Sequence, residues 1–438
     1  MKSEKLTAAF HIPMDYSQFI SSISAARQPN PVRISSKLAK KMSSVIMLSG
    51  GMPNPDSFPI KAASISLVDG TTLEIREQLM KRALQYCPTN GIHELLSWLE
   101  DLQMKLHNPP TAKYAPEKGQ MKICITAGSL DGINKVFDML LNPGDNVLVD
   151  EPNFPGILSG LRPLGCNIIK APSDQHGIIP NALKEVLSQW RTDNVHKFQG
   201  KTLKFLYTVP NGGNPSGSSL TAERKKEIYQ LAREYNFLII EDDPYYFLQF
   251  GKTKAPSFLS MDVDGRVIRC DSFSKVISSG LRVGYLTGPA PLIDRVILHL
   301  QVSTMQASSF TQIIVLQLFE KWGQKGFLEH TDRVAEFYKK QRDAMLAAAD
   351  KWLKGLANWY IPNAGLFLWI KIKGVSDTHQ MVTGKALDRG VALLPGKGFM
   401  INGTEPCPYV RVSFSFASPD EMDQAFQKLA ELIKEESE

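Results

Sequence analysis

The chain has 438 residues, 43% of them apolar and 21% charged, with 50 basic side chains against 44 acidic ones. That length predicts two or three domains with ample chain to bury a core, and the composition is that of an ordinary folded protein. A net charge of +6 is too dilute for a nucleic-acid-binding surface, and no apolar stretch approaches the roughly 18 residues needed to span a bilayer.

Residues 1–45 hold seven Lys/Arg against two acids, with many serines. This is compatible with a mitochondrial transit segment; Glu4 counts against it, and a disordered tail is the alternative. Lys37, Lys40 and Lys41 form the densest basic group and read as solvated charges. Residues 1–60 as a whole read as a Pro/Gly-rich N-terminal arm. KICIT (122–126) is strand-like, followed by Ala127-Gly128-Ser129 and a helical spacing of Ile133, Val136, Phe137, Leu140 and Leu141. NVLVDEP (146–152), CNIIKAP (166–172) and FLYTVPN (205–211) are further short apolar strands. A helix through Ile228, Leu231 and Ala232 leads into FLIIEDD (237–243), and GRVIRCDSFSK (265–275) runs from a strand into a loop.

Strands alternating with helices predict βαβ units and a mostly parallel sheet flanked by helices. Ligands of such sheets sit beyond the carboxyl ends of the strands. Polar clusters fall there repeatedly: Gly128-Ser129, Asn211 to Asn214, Asp242 to Tyr245, and Ser272 to Lys275.

After about residue 340 the texture changes. A helical stretch (333–356) precedes strand-like GLFLWIKI (365–372), VALLPG (391–396) and YVRVSFS (409–415). Ser418-Pro419-Asp420-Glu421 is a helix start with a capping box, opening a helix through Phe426, Leu429 and Ile433. The expected organisation is an arm over 1–60, a large α/β domain over 61–339 and a smaller α+β domain over 340–438. Five cysteines, none in a C-x-x-C pair, argue against a disulfide framework or zinc site. They fit reduced thiols inside a cell. Eight scattered histidines without an H-E-x-x-H pattern point to no metal.

The segment with the strongest chemical content is Asp271-Ser-Phe-Ser-Lys275, continuing through Gly280-Leu-Arg282-Val-Gly284-Tyr285. A loop lysine alone is unremarkable, but the arrangement S-x-S-K-x₄-G-x-R-x-G-Y resembles the lysine motif of the fold-type I pyridoxal-phosphate aminotransferases. The resemblance implies that Lys275 attaches the cofactor covalently and that Ser272, Ser274 and Arg282 bind its phosphate. The physics agrees. A lysine attacking a carbonyl must be neutral at that moment, and its site can tune it. A dianion suits a guanidinium fork and hydroxyl donors. Tyr207-Thr-Val-Pro-Asn211-Gly-Gly-Asn214-Pro-Ser-Gly217 resembles the family's P-x-x-P-x-G turn, which implies that Asn214 donates to the ring 3′-oxygen. Read without the family it is a plain Asn/Gly/Pro turn. Asp242-Asp243-Pro-Tyr245 resembles the family's D-x-x-Y. By that match Asp242 pairs with the pyridinium nitrogen, keeping the ring able to accept carbanion charge, and Tyr245 donates to the 3′-oxygen.

Gly128-Ser129 at a helix start is a ready anion site, so the backbone at Ser129 and Leu130 is expected to meet the phosphate; simple capping by Ser129 is the bland reading. By resemblance Arg411, in Tyr409-Val-Arg411-Val-Ser, clamps the substrate α-carboxylate, with Gly50-Gly51 approaching the same group. Tyr86 reaches the phosphate of a neighbouring subunit, which implies a homodimer with shared sites. Arg33 matches an arginine of the family's N-terminal segment that covers the substrate, within an adaptable stretch over 27–45; a solvated charge is the alternative.

The likeness covers nearly all of residues 14–436 and is nearest to the family's animal mitochondrial kynurenine/α-aminoadipate group. It implies transfer of amino groups from L-2-aminoadipate and L-kynurenine to 2-oxoglutarate in the mitochondrial matrix, with the cytoplasm as the alternative. Small amino acids and 2-oxo acids are the implied partners, with no nucleic acid and no membrane. Two positions depart from that group. Phe154 stands where it has a tyrosine stacked on the cofactor ring, and Leu130 replaces its glutamine. A lyase or decarboxylase on the same scaffold would form product without an oxo acid. A cofactor-sensing regulator would need a DNA-binding domain, for which about 45 residues before Gly50 are too few.

Overall fold

The computed structural model describes residues 14–31, 46, 48, 51–188 and 202–437. Arg33, Gly50 and most of the stretch expected to cover the substrate lie outside these residues.

A hairpin of β1 (Ala63–Ser66) and β2 (Thr72–Ile75) precedes the central sheet. The sheet's seven strands are β3 (Met121–Thr126), β4 (Asn146–Asp150), β5 (Asn167–Ala171), β8 (Leu203–Thr208), β9 (Leu238–Asp242), β10 (Val267–Ser272) and β11 (Gly284–Pro289). Between β5 and β8 lies a two-stranded pair, β6 (Ser173–Asp174) and β7 (Gly177–Ile178). The order across the large sheet is β3-β11-β10-β9-β8-β4-β5. The pairings of β10 with β9, β9 with β8, β8 with β4 and β4 with β5 are parallel, and β11 runs antiparallel to both its neighbours. Every residue of β8, β9, β10 and β11 is buried, as expected of a sheet covered on both faces. Two apolar cores result, one on each face, with Phe137, Phe205, Ile240 and Tyr285 in one and Leu148, Leu206, Phe237 and Ile239 in the other.

The mostly parallel sheet expected from sequence is present. β11 was not foreseen as a strand, because GYLTGP carries two glycines and a proline and no clear alternation. It reverses the chain immediately after the lysine loop, so Gly284 returns to the edge where Ser272 left it. The ends of β3, β4, β8, β9 and β10 and the start of β11 therefore share one rim.

A second, antiparallel sheet has the order β12-β13-β15-β14, formed by β12 (Ala357–Trp359), β13 (Phe367–Ile372), β14 (Leu394–Pro395) and β15 (Tyr409–Ser413). Of VALLPG only Leu394–Pro395 pairs as strand. Ile370, Val410, Phe426 and Leu429 form its core under the helix Pro419–Ser437. That helix starts with the expected capping box: Ser418 N donates to Glu421 Oε2 at 2.7 Å and Glu421 N to Ser418 Oγ at 3.3 Å. The helix expected over 333–356 is the second half of a longer one, Ser309–Trp352, broken at Gly323 (φ 60°, ψ 176°). It crosses the 339/340 boundary drawn from sequence, and its Tyr338 packs against both the large-sheet and the small-sheet cores. Of the arm, Tyr16 and Phe19 are buried in the large-sheet core, and Tyr16 OH donates to Gly265 O at 2.9 Å.

Candidate active site

The rim gathers its polar groups by strand geometry. At the end of β3 the chain turns through Gly128 (φ 89°) into the helix Ser129–Leu140, whose first amides have no partners within the helix. A Cβ on Gly128 would lie 2.3 Å from Arg282 Nη2, so only glycine lets that guanidinium sit against the turn. Arg282 has left-handed backbone (φ 53°). Its Nη1 donates to Ser279 O at 3.2 Å and lies 3.4 Å from Ser274 Oγ, and its Nη2 donates to Ala127 O at 3.3 Å. Ser272 Oγ accepts from Ser274 N at 3.2 Å. Among the described residues no carboxylate pairs with Arg282. Helix-start amides, two hydroxyls and an uncompensated guanidinium suit a small dianion such as a phosphate ester.

Asp242 closes β9 and is buried. Tyr207 OH, on the adjacent β8, donates to Asp242 Oδ2 at 2.5 Å. The other oxygen, Oδ1, is buried without a hydrogen-bond partner among the described residues. Burial pushes this carboxyl up to about 7, against the opposing Tyr207 bond, and Asp243 and Asp271 push the same way. A buried acceptor without a donor is costly, and a protonated ring nitrogen would supply the missing donor. The residues thus fit the ring as well as the phosphate of the expected cofactor.

Behind Asp242 lies an ionic cluster that sequence reading missed. Arg269, fully buried, contacts Glu241 at 3.2 Å, Asp243 at 3.0 Å and Asp271 at 2.9 Å. Asn211 Nδ2 donates to Asp243 Oδ2 at 2.9 Å, and Gln103 Nε2 to Asp271 Oδ2 at 3.0 Å. The available signal was a lone arginine inside the apolar run VIRC, since a charge on a doubly covered strand must be paired.

Lys275 follows β10 and is half-buried. Burial, then Arg282 and Arg411, hold its amine below the usual lysine range. Arg411 comes from β15 of the small sheet. Its Nη1 donates to Asn214 Oδ1 at 2.9 Å, and its guanidinium lies 4.4 Å from the Phe367 ring centroid and 5.1 Å from that of Phe399. No carboxylate pairs with it among the described residues. Tyr245 is buried, its hydroxyl pushed up by burial and then by Asp242. Lys275, Ser129, Ser272, Ser274, Arg282, Asn214, Asp242, Tyr245 and Arg411 are thus carried to one rim from two sheets.

Other candidates sit further out in the single chain. Phe154 caps the helix Pro155–Leu161 and is 36% exposed. The Leu130 side chain is 39% exposed and carries no hydrogen-bond donor, so only its backbone can serve an anion. Gly51 is exposed. Tyr86 is 51% exposed and lines a cavity of about 440 Å³ with Met52, Lys81, Arg82 and His93, a set that shares no residue with the rim.

Residues 61–429 match the family described as aminotransferase class I and II. The mitochondrial kynurenine/alpha-aminoadipate aminotransferase of Bos taurus is 59% identical over 423 residues, 96% of this chain and 100% of that protein. Aminotransferase Aro8 of Candida albicans superposes with a TM-score of 0.86 at 29% identity, covering 97% of this chain and 99% of its own. The kynurenine aminotransferase of Pyrococcus horikoshii, solved with PMP, KYN as substrate and KYA as product, gives 0.75 at 30% identity, covering 97% and 99%.

Proposed function

The chain belongs to the class I and II aminotransferases, and from that membership we propose that it moves amino groups from L-kynurenine and L-2-aminoadipate to 2-oxoglutarate. It is a pyridoxal-phosphate enzyme. The choice of donors rests on the near full-length identity to a bovine enzyme named for both. The roles given to individual residues rest on one observation: the basic side chains of Lys275, Arg282 and Arg411 come together without a paired acid among the described residues, on the rim where buried Asp242 keeps Oδ1 without a hydrogen-bond partner.

The bound cofactor supplies an electron sink for charge that develops at the substrate Cα. The chain's own residues do the rest. Arg282, Ser272, Ser274 and the amides of Ser129 and Leu130 would hold the phosphate, joined by Tyr86 of the partner subunit. Asp242 would hold a proton at the ring nitrogen. A carboxylate facing a cationic N–H stays ionised, so the site that lifts Asp242 when empty would be satisfied when filled. Asn214 and Tyr245 would donate to the ring oxygen, and Phe154 would cover one ring face and exclude water. Lys275, whose amine burial makes easier to deprotonate than an ordinary lysine, would anchor the cofactor and, once displaced by substrate, take the proton from Cα. Arg411 would orient the α-carboxylate beside the backbone of Gly51. Arg33 would meet the distal carboxylate of aminoadipate. A matrix location is supported by the bovine relative's name and the basic, acid-poor residues 1–45. Among the described residues no helix is long and apolar enough to cross a membrane.

The test is kcat/KM for both donors. Arg411→Ala should lower both by at least about tenfold, the loss of a charge-assisted hydrogen bond. Arg33→Ala should lower aminoadipate use more than kynurenine use, because only aminoadipate carries a second carboxylate. Equal losses would remove Arg33 from the side-chain pocket. Turnover with neither donor would reject the substrate assignment.

A further inference from the structure

Arg411 stands on the small sheet, while most of the residues it must work with stand on the large one. Its guanidinium lies over the rings of both Phe367, from its own sheet, and Phe399, from the short helical turn Gly396–Phe399. Phe399 is 2% exposed and meets Trp369 edge-on, with centroids 5.6 Å apart; Trp369 in turn stacks on Tyr409 at 5.1 Å. The aromatic wall behind Arg411 is therefore only as well placed as the turn that carries Phe399.

That turn is tied to the large sheet at three points, all on the loop and helix that follow β4. Asn153 N donates to Phe399 O at 2.9 Å. Ile401 N donates to Glu151 Oε1 at 2.8 Å. Arg162 Nη2 donates to Ile401 O at 3.2 Å. Glu151 has its side chain 8% exposed, and its second oxygen is held by Lys170 Nζ of β5 at 2.6 Å. A carboxylate largely withdrawn from water and shared between a backbone amide and an ammonium is a strong, directional tether. The same loop ends at Phe154.

We propose that Glu151 is a positioning residue that fixes Arg411 for its carboxylate, by clasping the Phe399 turn of the small sheet to the Phe154 loop of the large one. The inference rests on the reading of Arg411 as the holder of the substrate α-carboxylate. On this reading Glu151 acts only through that turn, by its bonds to Ile401 N and Lys170. Its removal should loosen the wall behind Arg411 while leaving the phosphate cradle, Asp242 and Lys275 in place.

The experiment uses the holoenzyme. Glu151→Ala should raise KM for both L-2-aminoadipate and L-kynurenine by about tenfold, the scale of one charge-assisted hydrogen bond. Its kcat should stay within about threefold of the parent, and its cofactor absorbance and stoichiometry should not change. Glu151→Gln keeps an acceptor for Ile401 N and should recover most of the KM. Ile401→Pro deletes the same bond from the other side. The preceding Met400 already has the extended backbone that precedes proline (φ −91°, ψ 144°). It should reproduce the KM rise, and the double variant should be no worse than either single one. Arg411→Lys is the control. If it raises KM while Glu151→Ala and Ile401→Pro leave KM within twofold, the clasp is overturned and the role of Arg411 stands. If Arg411→Lys leaves KM unchanged, the role of Arg411 fails on its own account. A fall in kcat or cofactor content equal to the KM effect would make Glu151 a general structural residue and overturn the inference. Should Glu151→Ala not fold, Ile401→Pro and Glu151→Gln decide it alone: no KM rise in Ile401→Pro refutes the clasp.

Discussion

Lys275 is half-buried and feels the charges of Arg282 and Arg411, with burial the larger influence on its amine. Burial and two like charges all favour the neutral form, which is the form that can attack a carbonyl or accept a proton. Lys275→Ala should abolish turnover and leave the cofactor bound only non-covalently. Borohydride reduction followed by peptide mapping checks this in the parent, and a label on another lysine would reject the assignment. Asp242 has the opposite problem. Its carboxyl is raised from 3.8 to about 7 by burial, so the empty fold retains a proton that the unfolded chain releases. This group's contribution to apo-protein stability is therefore complete below about pH 4 and lost as pH rises through 7. Asp242→Asn has nothing to ionise. Without cofactor it should be more stable than the parent at pH 8, by on the order of 2–4 kcal/mol, and equal to it near pH 4. With cofactor its turnover should fall steeply, because the ring nitrogen loses its charged partner. Thermal unfolding of the apo-protein against pH tests the first effect. Turnover within about threefold of the parent would reject the second.

At the scale of elements, the site depends on close backbone approach where β3, β11 and the helix Ser129–Leu140 meet. A Cβ on Gly284 would lie 2.7 Å from Ser129 N and 2.8 Å from Asp271 O, and one on Gly128 would strike Arg282. Gly128→Ala has two costs, since its φ of 89° is also strained for any other residue. It should displace the Arg282 guanidinium and weaken cofactor binding by at least about tenfold, the loss of one charge-assisted contact. The large core, away from that turn, should remain intact. Equilibrium binding of pyridoxal phosphate followed by absorbance, with circular dichroism as the fold control, measures both. Unchanged affinity would mean that the turn does not carry the phosphate.

At the scale of the molecule, the two sheets contribute different parts of one site, joined by the helix Ser309–Trp352 and by the contacts of the Phe399 turn. Tyr86 extends this logic beyond the single chain. Its side chain is half exposed and lines a cavity separate from the rim. Its proposed place at a phosphate requires a second copy. Mixing inactive Tyr86→Ala with inactive Lys275→Ala should regain some activity, because each hybrid dimer assembles one site with both residues intact. Hybrids that form and remain inactive would reject the shared site.

Sequence alone determined the local features: the apolar strands β3, β4, β5, β8, β9, β10, β13 and β15, their alternation with helices, the capping of the last helix by Ser418 and Glu421, and the short motifs around Lys275. These follow from periodicity, capping chemistry and fixed spacing, all of which act over a few residues. The antiparallel course of β11, the Tyr207–Asp242 bond, the pairing of Arg269 with three acids and the docking of Phe399 behind Arg411 were decided only by the tertiary structure. Asn214 and Arg411 are 197 residues apart in the chain and 2.9 Å apart in space. Contacts of that kind come from how sheets pack and where strands end, and a burial cost such as that of Asp242 exists only once the surrounding core has closed.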